Sequence, residues 1–155
     1  MIKVIGIGNR VMSDDGIAIH VLEKIKDEIK MISPEIEVII GETDFVYCLN
    51  KINNNDYVII VDSTFLGLES GKVTLLSFNS IAQYKNFSFT QHDASLINRI
   101  LNYKSSVKGC IIGIEIYSAD YGFDISNILR KRFKNICKDT LYQIKTVIYK
   151  GGREI

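Results

Sequence analysis

The chain has 155 residues with 19 lysines and arginines against 18 aspartates and glutamates, a balance that gives no support to nucleic acid or an anionic membrane as partner. Hydrophobic residues make up 46% of it, which at this length suits one domain over residues 1–155 that buries its core without staples. Cys48, Cys110 and Cys137 are odd in number and contain no CxxC pair, so they read as reduced, buried thiols of a cytoplasmic protein rather than as a disulfide framework or zinc site.

In chain order, Met1 leads directly into IKVIGIG, with no basic leader or cleavage site, and no apolar run reaches membrane-spanning length. Short β-branched runs at 2–7, 36–40, 57–61, 73–77 and 110–116 predict strands buried on both faces. Between and after them, helical patterns cover 16–30, 45–51, 93–103 and 124–150. In the last of these, Ile125, Leu129, Phe133, Ile136, Ile144 and Val147 recur on one face, which should pack against the sheet. Pro34 and the run NNND at 53–56 mark turns, and the strand at 73–77 reads as hairpin-like. The order predicts an α/β fold: a three-layer α/β/α sandwich of the phosphorylase/hydrolase-like kind, with a mixed, mostly parallel five-stranded sheet. Such sheets bind ligands at the carboxyl ends of their strands.

The acids and histidines at those ends are few. In GIGNRVMSDDG, residues 6–16, Ser13 is typed as a helix N-cap, which places Asp14 and Asp15 in the first helical turn, where the dipole favours negative charge. Asp14 reads as a solvated charge of that turn; the competing role is to orient Asp15. Asp62 closes the strand YVIIVD, and His92 lies in FTQHDASL just before a helix. Each has an ordinary explanation as a cap or turn residue. Together, two carboxylates and an imidazole on three strand-to-helix connections form an N/O donor set suited to a divalent first-row metal such as nickel or zinc. His20 lies about 140° around the helix from Asp15, so it reads as a partly buried helix residue outside that set.

Other chemistries find less support. Val11 replaces the third glycine of GxGxxG, and carboxylates stand where a pyrophosphate would need open amides, although Glu42 follows the second strand where a ribose-binding acid would sit. GxxxxGK[ST], HExxH and GxSxG are absent. Cys110 lies within an apolar strand and the other two cysteines on helices with apolar neighbours, so none reads as a nucleophile.

Taken end to end, the sequence resembles the hydrogenase maturation endopeptidases, which trim the C-terminal extension from the large-subunit precursor of nickel-iron hydrogenases. GIGNRVMSDDG is similar to the family's GxGNxxxxDDG, and VIIVDSTFLGLESGKV to its VVDAxxxGxxPG segment. TQHDASL resembles SxHxxGL, and IIGIEIYSADYGFDIS follows the GIEP stretch and the glycine-to-serine turn that opens the last helix. The resemblance implies that Asp15, Asp62 and His92 are metal-binding and catalytic. It also implies an aspartyl-type endopeptidase whose nickel arrives in the substrate precursor, with another divalent metal as an alternative occupant.

Departures from the motifs concern specificity rather than the metal-binding residues. Where the family has a DGGTxG-like loop beside the substrate cleft, this chain reads IGETDF, with Glu42 and Phe45 in place of glycines. Ser70 and Ile116 replace prolines, and Ser95 replaces a glycine. Two rival functions remain in view: a noncatalytic module that docks on the hydrogenase subunit and senses its nickel, and a nucleotide-binding α/β enzyme.

Overall fold

A computed structural model of the chain describes residues 1–78, 93–104 and 106–150. Five strands and four α-helices follow one another as β1 (Ile2–Ile7), α1 (Ile17–Lys30), β2 (Ile36–Glu42), α2 (Phe45–Lys51), β3 (Tyr57–Thr64), β4 (Val73–Ser77), α3 (Asp93–Tyr103), β5 (Lys108–Glu115) and α4 (Asn127–Tyr149). They form a sheet of order β2-β1-β3-β5-β4. β1 pairs in parallel with β2 and β3, and β3 with β5, while β4 runs antiparallel to β5. The fold is therefore the expected sandwich with a mixed, mostly parallel sheet. The hairpin-like strand differs in its partner, since β4 lies beside the later β5 at the sheet edge.

Strand pleating sends successive side chains to opposite faces, and two apolar layers result. Val4, Ile59, Val61 and Ile112 face α1 and α4, where Ile17, Val21, Leu22, Leu129, Ile136 and Ile144 close the core. Ile5, Ile60 and Ile111 face α2 and α3, packing on Cys48, Leu96 and Ile100. All three cysteines are buried and free. Burial pushes the Cys48 and Cys137 thiols up to about 11 and that of Cys110 to about 12, so they stay protonated core groups.

The parallel arrangement brings the loops after β1, β2, β3 and β5 to one end of the sheet. Two element boundaries shift there. α1 begins only at Ile17, after a separate 3-10 turn Ser13–Gly16, and β3 continues beyond Asp62 to Thr64. Ser126 caps α4, its hydroxyl accepting the Leu129 N–H, as the glycine-to-serine turn implies. Among the described residues no helix is long and apolar enough to cross a membrane.

Candidate active site at the carboxyl ends of the strands

The loop after β1 turns through Gly8, whose φ of +151° lies outside the range that L side chains hold easily. A Cβ there would come within 2.1 Å of the Asp15 carbonyl oxygen, so the glycine is required by close packing of the loop against the turn that carries Asp15. The loop's amides are committed to the protein itself. Gly8 N–H donates to the Glu42 carbonyl and Met12 N–H to that of Asn9, while Asn9 N–H donates to Asp15 Oδ2 at 2.9 Å. None of these three remains open to a phosphate, which removes the main attraction of the two glycines for a nucleotide.

Asp15 is 3% exposed. Besides the Asn9 amide, its carboxylate accepts the Ser63 hydroxyl at 2.7 Å on Oδ1. Ser63 is itself fully buried, and its backbone N–H donates to Asp62 Oδ1, also at 2.7 Å. One residue of β3 thus fastens both acids, the first through its side chain and the second through its main chain. Pleating explains the division: Ser63 shares the face of Val61, toward α1 and α4, whereas Asp62 shares that of Ile60, toward α2 and α3. Asp62 is 2% exposed and sits within the strand rather than at its last residue.

His92 lies outside the described residues, immediately before α3. Among the described residues no three His, Cys, Asp or Glu side chains are gathered closely enough to hold a metal ion. His20 is half-buried and lines a groove with Phe123, Asp124, Ile125, Arg130 and Phe133, on the α1–α4 side and apart from the two acids.

Asp14 departs most from its sequence reading. It is neither solvated nor in the first turn of α1; it is 0% exposed and belongs to the preceding 3-10 turn. Its Oδ1 accepts the Ser126 N–H at 2.6 Å, and its Oδ2 the N–H groups of Tyr117 and Ser118, each at 3.1 Å. Three donors more than a hundred positions away replace the water that the sequence reading supplied. Ser13 is likewise not an N-cap: no side chain caps this turn, and the Ser13 hydroxyl donates to the Asp124 carbonyl at 3.0 Å.

Glu115, the acid of the GIE stretch, has a matching role that the sequence reading did not assign. It is 1% exposed and ends β5. Its Oε2 accepts the Thr64 hydroxyl and the Leu66 N–H, both at 2.9 Å, and its Oε1 the Leu68 N–H at 3.0 Å. Asp14 fastens the loop after β5, and Glu115 the loop after β3. An acid at the end of an apolar strand is the sequence signal for such a clamp, because a buried carboxylate needs donors. For Ser63, the signal is a hydroxyl where the family motif has alanine.

Glu42 ends β2 with φ +49°, a left-handed conformation at the position where the family motif has glycine. Its side chain accepts Arg10 Nε at 2.9 Å, and Arg10 Nη2 also pairs with Glu23 at 2.6 Å. The Glu23 hydrogen bond is the largest influence raising the Arg10 pKa, and the same bond lowers that of Glu23. This chain thus ties the loops after β1 and β2 to α1 at the position where the family motif has a glycine.

A three-layer sandwich with buried acids at the carboxyl ends of a mostly parallel sheet defines the class of protein, and known proteins narrow it. The model of the hydrogenase maturation protease family HycI matches residues 19–143, and the chain belongs to that family. The match covers Asp62 and His92 and begins just after Asp15. A candidate hydrogenase maturation protease of Methanocaldococcus jannaschii is 30% identical over 98 residues, 61% of this chain and 62% of the relative. The hydrogenase expression/formation protein HupD of Rhizobium leguminosarum bv. viciae is 25% identical over 83 residues, 54% of this chain and 41% of its own. The chain therefore matches less than two thirds of the length of either curated relative. Among solved structures, the [NiFe] hydrogenase maturation protease HybD from Thermococcus kodakarensis aligns with a TM-score of 0.73 at 18% identity, covering 92% of this chain and 98% of that one. The hydrogenase maturating endopeptidase HybD from E. coli gives 0.75 at 17%, covering 94% and 92%. At these identities the structural likeness establishes the fold.

Proposed function

We propose that the protein is an endopeptidase that removes the C-terminal extension of a nickel-iron hydrogenase large-subunit precursor once nickel is in place, with Asp15, Asp62 and His92 recognising that metal. Membership of the family supports the activity class. The observation that carries the site is the pair of buried carboxylates joined through Ser63, with Asp15 held by two neutral donors, the Asn9 amide and the Ser63 hydroxyl. Neutral donors orient a carboxylate without neutralising it, so its charge remains for a cation. Carboxylate and imidazole ligands suit a divalent first-row ion.

In this reading nickel belongs to the substrate. A bound divalent ion supplies Lewis acidity toward a carbonyl oxygen or water. This chain's own contribution is to hold Asp15 and Asp62 in fixed orientations, and His92, the residue before α3 in the sequence, is the third member of the proposed set. The loops after β3 and β5 flank the acids and are clamped by Glu115 and Asp14, which suits them to form the walls that receive the precursor.

The test is to incubate the protein with nickel-loaded and nickel-free precursor and weigh the products. Loss of the C-terminal peptide from the loaded form alone is the expected result. Equal cleavage of both forms overturns metal recognition; tight binding of loaded precursor with no change of mass converts the protein into a docking module.

A further inference from the structure

We infer that Asp14 is a positioning residue for Asp15: it holds the strained 3-10 turn that presents the Asp15 carboxylate. Ser13, the first residue of this turn, has φ +47°, a left-handed conformation seldom held by a residue with a side chain. Such a conformation persists only where its surroundings impose it. Here the turn is fastened on both sides. On one side Ser13 N–H donates to the Gly122 carbonyl at 2.7 Å, and Gly122 N–H donates back to that of Val11 at 2.9 Å. The Asp14 carboxylate then gathers the N–H groups of Tyr117, Ser118 and Ser126. On the other side the next residue, Asp15, reaches Asn9 and Ser63. The Asp14 and Asp15 carboxylates share none of these donors, so the effect of one on the other passes through the backbone of the turn.

Asparagine at position 14 keeps the shape of aspartate but replaces one acceptor oxygen by an NH2 group. Because both oxygens of Asp14 face N–H donors, the amide can serve only one side of the clamp. The turn is then free to relax from its left-handed start, and Asp15 turns with it.

The experiment measures amide hydrogen exchange in Asp14→Asn, with the core strand residue Ile59 as the reference for global opening. The Asn9 amide reports on Asp15, since it donates to Asp15 Oδ2 and is not one of the Asp14 donors. Exchange at Asn9 is expected to accelerate at least about tenfold relative to Ile59; unchanged relative protection at Asn9 overturns the inference. If Asp14→Asn does not fold, Ser126→Pro serves instead. The Ser126 φ of −56° accepts the proline ring, and the substitution deletes one of the three donors together with the hydroxyl that caps α4; Ser126→Ala, which removes the cap alone, is the control. The same acceleration or constancy at Asn9 then decides.

A kinetic arm rests on the proteolytic reading proposed above. At a temperature where both proteins are folded, Asp14→Asn should lower kcat on nickel-loaded precursor about 10–100-fold with KM nearly unchanged. Lowered melting with kcat intact overturns the inference. If the wild-type protein leaves the precursor whole, the proteolytic reading fails, and the Asn9 measurement alone decides for or against Asp14.

Discussion

The two ends of the sheet handle buried charge in opposite ways. At the amino end, Lys3 in β1 is 3% exposed and pairs with Glu37 of β2, and its Nζ lies 3.9 Å from Asp56. Asp56 also accepts the Asn53 N–H at 2.8 Å and lies 3.2 Å from the Met1 amino group. At the carboxyl end, the hydrogen bonds received by Asp14 and Asp15 among the described residues come from neutral donors: backbone amides and one hydroxyl. A buried acid facing fixed cations has its charge balanced within the fold and reads as structural. An acid fixed by neutral donors is oriented while its charge is left for something that arrives. Asp14 shows that this alone does not make a ligand, because three donors already surround it; Asp15 has two, from a neighbouring loop and a neighbouring strand.

The sharpest way to break this contrast is to remove one acid from each end. Asp15→Ala should abolish precursor processing while the protein stays folded. Asp56→Ala should leave the processing rate intact and lower stability by about 1–3 kcal/mol, read from urea unfolding. Equal loss of processing in both variants would erase the functional distinction between the ends.

A smaller effect comes from Lys3→Met, which removes the ammonium and should cost about 1–2 kcal/mol at neutral pH. Its pH dependence sharpens the point. Burial by itself pushes the Asp56 carboxyl up, but the Asn53 amide, the Met1 amino group and Lys3 together outweigh burial and hold it below its ordinary value of 3.8. A carboxyl whose pKa is depressed in the folded state contributes stability that is fully present above its unfolded value. That contribution disappears as pH falls through the folded one. The advantage of wild type over Lys3→Met should therefore shrink below about pH 4. Urea unfolding at neutral pH and near pH 3 checks this; an advantage unchanged in acid would remove the ion pair from the explanation.

The smallest effect is expected for Glu42→Gly. Relief of the left-handed backbone gains roughly 1 kcal/mol, and the lost Arg10 bridge, between partly exposed groups, together with added chain freedom offsets most of it. Stability by chemical denaturation should stay within about 0.5 kcal/mol of wild type. A large loss would mean that the Arg10–Glu42 tie holds more of the carboxyl end than its exposure suggests.

Most of the sandwich was legible in the sequence because strands buried on both faces are written as β-branched runs, and each expected run became a strand. The pairing of β4 was not, since which strand an edge strand joins depends on crossovers that local pattern does not encode. At the candidate site, Asp15 and Asp62 were legible as acids near the carboxyl end of the sheet, but their elements were not: Asp15 lies in a 3-10 turn rather than the first turn of α1, and Asp62 lies within β3 rather than at its end. Asp14 was misread because its surroundings come from residues 117, 118 and 126, too distant in sequence for helical spacing to reveal. The expectation also assumed an α-helical turn, whereas the chain forms a 3-10 turn there, with Ser13 in a conformation outside any helix. Glu115 was hidden in the run CIIGIEI, whose apolar residues account for a buried strand without it.

Glu115 and Asp14 grip their loops almost wholly by main-chain N–H groups, which every amino acid except proline carries in identical form. The grip is therefore blind to side chains. Apart from Gly67, whose φ of +76° favours glycine, the residues from Leu66 to Leu68 and from Tyr117 to Ser126 can be exchanged without loosening the main-chain attachment, so long as no proline falls at an anchored position. Each loop is in effect a socket with a fixed collar and a replaceable face. Phe65, Leu68, Tyr117, Tyr121 and Phe123, all exposed, are the present occupants of those faces, and a change of partner could be written there while the two buried acids stay as they are.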